Sequence, residues 1–214
     1  LLFGALLISL LYLSFMRERM FFGDYHVYVR AAKAILDGDR LTERYVYPPF
    51  WACLLSIVQR FFGRWASVLA CFAVNHIALV GFFLIGSTFL SRCGISRALA
   101  AVLLLGAMIV NVPLLRNVVY VQVNLLFLDL VLLGVLILVR YPLISAAAFG
   151  LAAHIKILPG LFVPILACRR EYRWVLYFFL VAGGITLLTT LLGGTRYYSS
   201  VIAPQIKGCS DVLF

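Results

Sequence analysis

Asp24 is the first residue of the chain whose position raises a chemical question. It stands in the stretch FFGDYHVYVRAAKAILDG, residues 21–38, after an apolar segment and at the start of a basic one. Aspartate is favoured at a helix N-cap, where it accepts backbone N–H groups and interacts well with the helix dipole. A carboxylate beside cationic residues at a membrane surface can also accept a proton from a sugar hydroxyl. The two interpretations are compatible, and both are kept.

A second group of candidates lies in the stretch AAHIKILPGLFVP, residues 152–164. Lys156 follows small residues and precedes Pro159, which breaks a helix, so its ammonium group could reach a cavity. The simpler alternative is a lysine that snorkels to the membrane surface. The functional alternative is that Lys156 and His154 hold a lipid-linked phosphate, which suits the compact point charge of a lysine.

Polar residues interrupt the apolar stretch LLRNVVYVQVNLLFLDLVL, residues 114–132, and they are Arg116, Asn117, Gln122, Asn124 and Asp129. Ionisable groups in such a segment are costly and usually mark a site or an internal pair. Gln122 and Asn124 could equally well only bond across helices. Asp129 lies in mid-segment, and the pattern predicts that it pairs with Lys156.

The stretch RYVYPPFW, residues 44–51, begins the next apolar run. Its two prolines suit a helix N-terminus, where the first turn needs no intrahelical N–H. Tyr45 and Tyr47 are typical of an aromatic belt at the bilayer surface. No nucleotide-binding, α/β-hydrolase or zinc-protease motif occurs. The five cysteines are widely spaced, so the sequence predicts packing residues and no metal site.

The elements that position these groups must lie in a bilayer. Hydrophobic residues make up 64% of the chain, charged residues 12%, and the mean hydropathy is +1.08, whereas soluble domains are about 45–50% apolar. Lys and Arg number 18 against 8 Asp and Glu. In a membrane protein this excess more often reflects anionic head groups and topology signals than nucleic acid.

The predicted fold is all-α, a polytopic integral membrane protein with one transmembrane domain over residues 1–214. Its candidate helices are the apolar runs 1–15, 48–62, 66–90, 98–115, 119–139, 143–168 and 174–193. The runs 48–62 and 143–168 are candidates for broken or re-entrant helices. Because the first run is shorter than the ~20 residues of a spanning helix, we expect the chain to lack its true N-terminus.

Two polar stretches, residues 16–47 and 194–214, are predicted to be outer loops. The first holds an amphipathic helix in the membrane plane, ended by Gly38. Its apolar face is predicted to hold Val27, Ala31, Ala34 and Ile35, and its polar face Arg30, Lys33 and Asp37. The positive-inside rule places loops 90–97, 139–143 and 168–173 in the cytoplasm, although Arg60 and Arg64 then lie outside.

The chain resembles glycosyltransferase family 87, the polyprenol-phosphate-mannose-dependent mannosyltransferases of the GT-C class. The stretches that carry the resemblance are GDYHVYVRAAKAILDG, YVYPPFWACLL, VQVNLLFLDLVLLG and AAHIKILPGLFVPILACRREYRW. The family patterns D-x-x-V-Y, Y-P-P, G-Q-V-N and K-x-x-P fall on residues 24–28, 47–49, 121–124 and 156–159, with Val121 in place of the glycine.

The resemblance implies an inverting transferase with a GT-C-type helical bundle, working at the outer face of a prokaryotic cytoplasmic membrane. It would move a hexose, here mannose, from a polyprenyl phosphate to a lipid or glycan acceptor. Asp24 would be the general base, and Tyr28, Tyr47, Gln122 and Asn124 would contribute to substrate binding. Family members are longer, so the chain would be their N-terminal half.

The leaving phosphate needs cationic partners. Besides Lys156 and His154, the candidates are Arg30, Arg44, Arg116, Arg196 and Lys207. A monophosphate carries less charge than a diphosphate, so no cofactor or obligatory metal is expected. Two rival hypotheses stay open: a transporter or lipid flippase, which also uses broken helices and buried charge, and a non-catalytic lipid-binding membrane subunit.

Overall fold

Helices form all the regular secondary structure in the computed structural model, which describes residues 1–16, 23–39 and 47–193. The helices are α1 (Leu2–Met16), α2 (Tyr25–Asp37), α3 (Phe50–Arg92), α4 (Arg97–Val110), α5 (Val112–Val119), α6 (Asn124–Ile137), α7 (Pro142–Ile155), α8 (Phe162–Cys168) and α9 (Tyr172–Gly193). A short 3₁₀ helix, Leu158–Leu161, joins α7 to α8. The predicted all-helical fold is thus confirmed for the described residues.

Two helices, α3 and α9, are long and apolar enough to cross a membrane, and α4 with α5 makes a third candidate if the bent pair counts as one span. α6 and α7 have 14 residues each, about 21 Å at the usual rise, against a hydrocarbon core of ~30 Å. Among the described residues, fewer helices are long enough for a full span than the apolar runs predict.

The predicted runs 48–62 and 66–90 are joined in α3, which runs through 43 residues and is kinked at Gly63, where φ is 82°. Glycine adopts this left-handed backbone at little cost, so the kink falls there. The predicted break within 143–168 is confirmed, because α7 ends at Ile155 and Pro159 lies in the following 3₁₀ helix.

The predicted run 98–115 is not one straight helix, because α4 and α5 meet at an angle of 72°. Asn111 lies at the corner with an extended backbone, and its Oδ1 accepts the Leu114 N–H at 2.9 Å. Pro113 lies in the first turn of α5, where proline is well tolerated. The corner is thus a helix start that the hydropathy pattern does not reveal.

The predicted run 119–139 also begins late, since α6 starts only at Asn124. Residues 120–123 form a turn in which Val121 has a positive φ of 53°. This conformation is rare for a β-branched residue. In the G-Q-V-N pattern that the sequence resembles, glycine stands at this position. Val121 is 2% exposed, so burial of its side chain helps to offset the backbone cost.

The helix predicted in the first polar stretch is confirmed as α2, whereas its position in the membrane plane stays a prediction. Gly38 ends it with φ 71°, and the N–H groups of Gly38 and Asp39 bond back to Ile35 and Ala34. The buried face is rotated from the predicted one. It carries Tyr25, Tyr28, Val29, Ala31 and Ala32, while Val27, Ala34 and Ile35 are only half-buried. The reason is that α2 packs on α3, so protein contacts select the face.

The larger apolar core includes the buried face of α2 and the side of α3 on which it packs. A second core lies between α7, α8 and α9, where Phe149 packs against Trp174 and Phe162. Ser145 connects three helices in this core: its Oγ donates to the Gly134 carbonyl of α6 at 2.7 Å and accepts from Trp174 Nε1 of α9 at 3.0 Å. Ser145 is fully buried, so these bonds have no solvent to replace them. They fix the position of α7 and of the residues at its end.

We predict that Ser145→Ala lowers the melting temperature, because it leaves Trp174 and Gly134 without this partner, at a cost of about 1–3 kcal/mol. Thermal unfolding followed by circular dichroism in detergent measures the change. Ser87→Ala is the matched control, since the Ser87 hydroxyl is buried and has no hydrogen-bond partner among the described residues. Equal losses in the two variants would contradict the prediction.

We predict that Gly134→Ala destabilises the contact between α6 and α7. A Cβ at Gly134 would lie 2.6 Å from two ring carbons of Phe149, and that ring is held by its aromatic neighbours. Overpacking of this kind costs about 1–3 kcal/mol. In Gly184→Ala the new Cβ meets nothing within 4 Å, so the same measurement should show no loss. A Gly134→Ala protein as stable as the control would refute the clash.

Candidate functional site

The N-terminus of α2 docks on the turn at residues 120–123. The backbone N–H of Asp24 donates to the Tyr120 carbonyl at 2.8 Å. A Cβ on Gly23 would lie 3.0 Å from that same carbonyl oxygen, so glycine allows the two backbones to come this close. The dipeptide before α2 is therefore shaped to fit the turn.

The Asp24 side chain does not cap α2. Asp24 already has helical backbone angles, φ −69° and ψ −12°, and its carboxylate makes no capping bond. Its Oδ2 instead accepts a hydrogen bond from Gln122 Nε2 at 2.5 Å. The predicted N-cap position of Asp24 is therefore confirmed, whereas the expected capping bond from its side chain does not form. The physical reason is that a capping residue normally has a non-helical backbone, whereas Asp24 is already helical and its carboxylate bonds to Gln122 instead.

Gln122 belongs to a cluster of amide side chains, which we call the amide cluster: Asn75, Asn117, Gln122 and Asn124. Asn124 Nδ2 donates to Gln122 Oε1 at 2.9 Å and to Asn117 Oδ1 at 2.5 Å. Asn75 Nδ2, from α3, donates to the backbone carbonyls of Gln122 and Asn117 at 3.2 and 3.4 Å. The cluster thus ties α3, α5 and α6 to the Asp24 carboxylate.

Tyr28 lies beside the amide cluster, with Tyr47 as its aromatic neighbour. Tyr28 is fully buried, and its ring packs edge to face on that of Tyr47 at 5.5 Å between centroids. Burial, followed by the neighbouring Tyr47, raises the pKa of the Tyr28 hydroxyl well above its ordinary value. The interior around Tyr28, Trp51 and Val121 has no room for a water molecule. Tyr28 thus packs in the apolar core, and its predicted part in substrate binding stays a prediction.

His154 and Lys156 lie at the C-terminal end of α7. Both ring nitrogens of His154 have protein partners, the Gly150 carbonyl at 2.8 Å and Thr186 Oγ1 at 3.0 Å. Lys156 is half-buried with an extended backbone, directly after α7. Ile155 belongs to the same apolar core as Tyr28, so the end of α7 reaches the core that supports α2.

The predicted pair of Asp129 and Lys156 does not form, since the one ion pair among the described residues joins Lys33 and Asp37. Asp129 is buried and faces α3, where a Cβ on Gly81 would lie 2.7 Å from its Oδ2. The missing side chain at Gly81 makes room for the carboxyl group. Helix packing has therefore turned Asp129 to α3.

The other predicted cations form no ion pair with Asp24 among the described residues. Arg30 and Arg116 are exposed and have no ion-pair partner in residues 1–16, 23–39 and 47–193. Arg44, Arg196 and Lys207 lie outside the described residues. Within them, no three His, Cys, Asp or Glu side chains form a group that could hold a metal ion.

Two contributors were missed by sequence reasoning. Asn75 is 3% exposed within the apolar helix α3, and a buried amide in such a segment is itself a signal of bonding across helices. Arg64 lies near enough to Tyr25 to oppose the rise in the pKa of that hydroxyl that burial causes. No spacing in the sequence relates Arg64 to α2.

The geometry leaves one oxygen of Asp24 available. Oδ2 is engaged by Gln122, whereas Oδ1 has no hydrogen bond to any residue that the structure describes. Asp24 is half-buried, so a ligand can approach it from solvent. A carboxylate anchored through one oxygen and open at the other can accept a proton from a bound hydroxyl group.

Comparison with known proteins identifies the chain's family. No curated protein and no solved structure matches the chain. The sequence profile of glycosyltransferase family 87 matches residues 45–208. The match covers most of the chain, includes Tyr47, the amide cluster and Lys156, and begins after Asp24. This chain therefore belongs to glycosyltransferase family 87, a family of membrane glycosyltransferases.

Proposed function

We propose that the protein is an inverting transferase that moves a hexose, mannose, from a polyprenyl phosphate to a hydroxyl group of a lipid or glycan acceptor. Family membership supports the class of reaction, and the resemblance of the sequence motifs supports the donor. The observation that carries the proposal is the half-buried Asp24 carboxylate, which is held through Oδ2 and open at Oδ1.

The proposed reaction is a single displacement. The acceptor oxygen attacks the anomeric carbon as its proton passes to Asp24 Oδ1. The bond between that carbon and the phosphate oxygen breaks, and its electron pair remains on the polyprenyl phosphate. Because attack and departure occur on opposite faces of the sugar, the anomeric configuration is inverted. Asp24 then returns the proton to solvent.

Negative charge develops on the departing phosphate, so a cation there favours the transition state. Lys156 is our first candidate, because it forms no ion pair with a described residue and lies at a broken helix end. His154 stabilises that end through Thr186, and any contact with phosphate would have to replace this bond. We expect no obligatory metal, since a monophosphate leaving group with a cationic partner is already largely compensated.

We place the site at the outer face of the cytoplasmic membrane of a prokaryote. One contact supports this orientation: Arg92 Nη1 donates to the Leu136 carbonyl at 2.6 Å, which brings the ends of α3 and α6 together. The basic loops 90–97 and 139–143 thus share one end of the helices. Asp24 docks near the opposite end of α6, about 21 Å away at the usual helical rise, and so away from the loops that the positive-inside rule places in the cytoplasm.

We predict that Asp24→Asn abolishes transfer of labelled mannose from polyprenyl-phosphate-mannose to a lipid extract, with a loss of about 10²–10⁴-fold. An amide cannot accept the proton, although it keeps the size of the carboxylate. The assay uses membranes that contain the full-length protein at matched expression. Asp39→Asn is the control, since Asp39 is exposed just beyond α2. Normal transfer by the Asp24 variant would remove Asp24 from the chemistry.

We predict that Lys156→Met weakens donor binding about 10–100-fold, the usual effect of losing a hydrogen bond to a charged group. Methionine keeps the apolar stem of the side chain, so expression and folding should be retained. The KM for the donor measures the effect, and Lys33→Met on the exposed face of α2 serves as the matched control. An unchanged KM would show that Lys156 does not hold the phosphate.

A further inference from the structure

We propose that Gln122 is a positioning residue, which holds the Asp24 carboxylate with Oδ2 engaged and Oδ1 presented to the acceptor. The inference rests on the proposed function, and it assigns to Gln122 a role other than substrate binding. Its basis is the hydrogen bond of 2.5 Å between residues that lie 98 positions apart in the chain.

The direction of the hydrogen bonds in the amide cluster supports this role. Asn117 Nδ2 donates to the Pro113 carbonyl at 2.8 Å, so Asn117 presents its oxygen to Asn124. Asn124 donates through Nδ2 both to that oxygen and to Gln122 Oε1. The Gln122 oxygen is therefore engaged, and its NH₂ group points to Asp24. The chain of donors ends at the carboxylate.

The opposite orientation of the Gln122 amide is excluded by repulsion. It would set the amide oxygen against a carboxylate oxygen at hydrogen-bond distance, and it would set NH₂ against NH₂ at Asn124. An ionised carboxylate only accepts hydrogen bonds, which suits the donor that Gln122 presents. A bond to an ionised acceptor is also stronger than one between neutral groups.

The backbone of Gln122 is itself held by two hydrogen bonds. Its backbone N–H donates to the Asn117 carbonyl at 2.9 Å, and its backbone carbonyl accepts from Asn75 of α3 at 3.2 Å. The backbone of Asp24 is held by Tyr120, two residues before Gln122. Backbone and side chain of Asp24 are thus bound to one turn, which restricts rotation of its carboxylate. Such restriction raises the rate of the chemical step without contact to the substrate.

The experiment compares the wild-type full-length protein with Gln122→Met and Gln122→Glu. Methionine keeps the length of the side chain and removes the donor. Glutamate keeps the shape and the oxygen that Asn124 binds, so it remains useful if methionine disturbs folding. Gln59→Leu is the control, because Gln59 is an amide of α3 outside the cluster and its Oε1 has no partner among the described residues.

We expect kcat for mannose transfer to fall about 10–100-fold in both variants, the size of effect that misplacement of a reacting group produces. The KM values for donor and acceptor should stay within about 3-fold, since a positioning residue does not contact substrate. A raised KM with an unchanged kcat would instead place Gln122 on the substrate and overturn the inference. So would an unchanged kcat together with an unchanged KM.

An infrared measurement tests the contact independently of activity. Aspartate labelled with ¹³C at the side-chain carboxyl is introduced, and the difference from Asp24→Asn identifies the Asp24 band. That band should shift in Gln122→Met, because the carboxylate loses its donor, and should stay in place in Gln59→Leu. An unmoved band in Gln122→Met would overturn the inference. Absence of transfer by the wild-type protein would instead overturn the proposed function, and the band would still show whether Gln122 holds Asp24.

Discussion

The polar groups of the turn at 120–123 must find their partners within the protein, because the surrounding chain is apolar and offers few others. This requirement organises the structure around the site. The turn interrupts the apolar run between α5 and α6 and presents a carbonyl and an amide. Asp24 meets both with its backbone N–H and its carboxylate. The start of α2 is thereby fixed, and the apolar face of α2 lies on α3.

The same requirement explains why the site lies where several helices meet. The side-chain amide of Asn75 donates to the backbone carbonyls of Asn117 and Gln122, so α3 supports the turn from the interior. Behind it, Tyr28 and Val121 fill the core and exclude water. The amide cluster is therefore supported by a packed apolar layer, an arrangement that suits the positioning role proposed for Gln122.

The second core has a different role. Ser145, Gly134 and Phe149 lock α6, α7 and α9 together, and the chain leaves α7 at Lys156. Close helix approach at a glycine and one shared hydroxyl are common means of helix association in membranes. The position of Lys156 thus depends on packing well away from Asp24. Lys156 lies within the segment that matches the family and Asp24 lies before it; the proposed mechanism assigns these two residues the two ends of the displacement.

Much of the fold was predictable because its signals are local. Hydropathy predicted the helices, Gly38 the end of α2, and Pro159 the break after α7, since each of these depends on residues that are close in sequence. The corner at Asn111 and the turn at Val121 were not predicted. A cap within an apolar run and a valine with positive φ leave almost no trace in hydropathy.

The sequence by itself determined the membrane class, the all-helical fold, the family and the choice of Asp24 and Lys156 as candidate site residues. Only the tertiary structure decided that Asp24 pairs with Gln122 rather than with its own helix, that Tyr28 is buried, and that Asp129 faces Gly81 instead of Lys156. The physical reason is that a helix forms from contacts three and four residues apart. The partner of a polar side chain is set by where helices cross, and that crossing depends on side-chain volumes distributed along the whole chain.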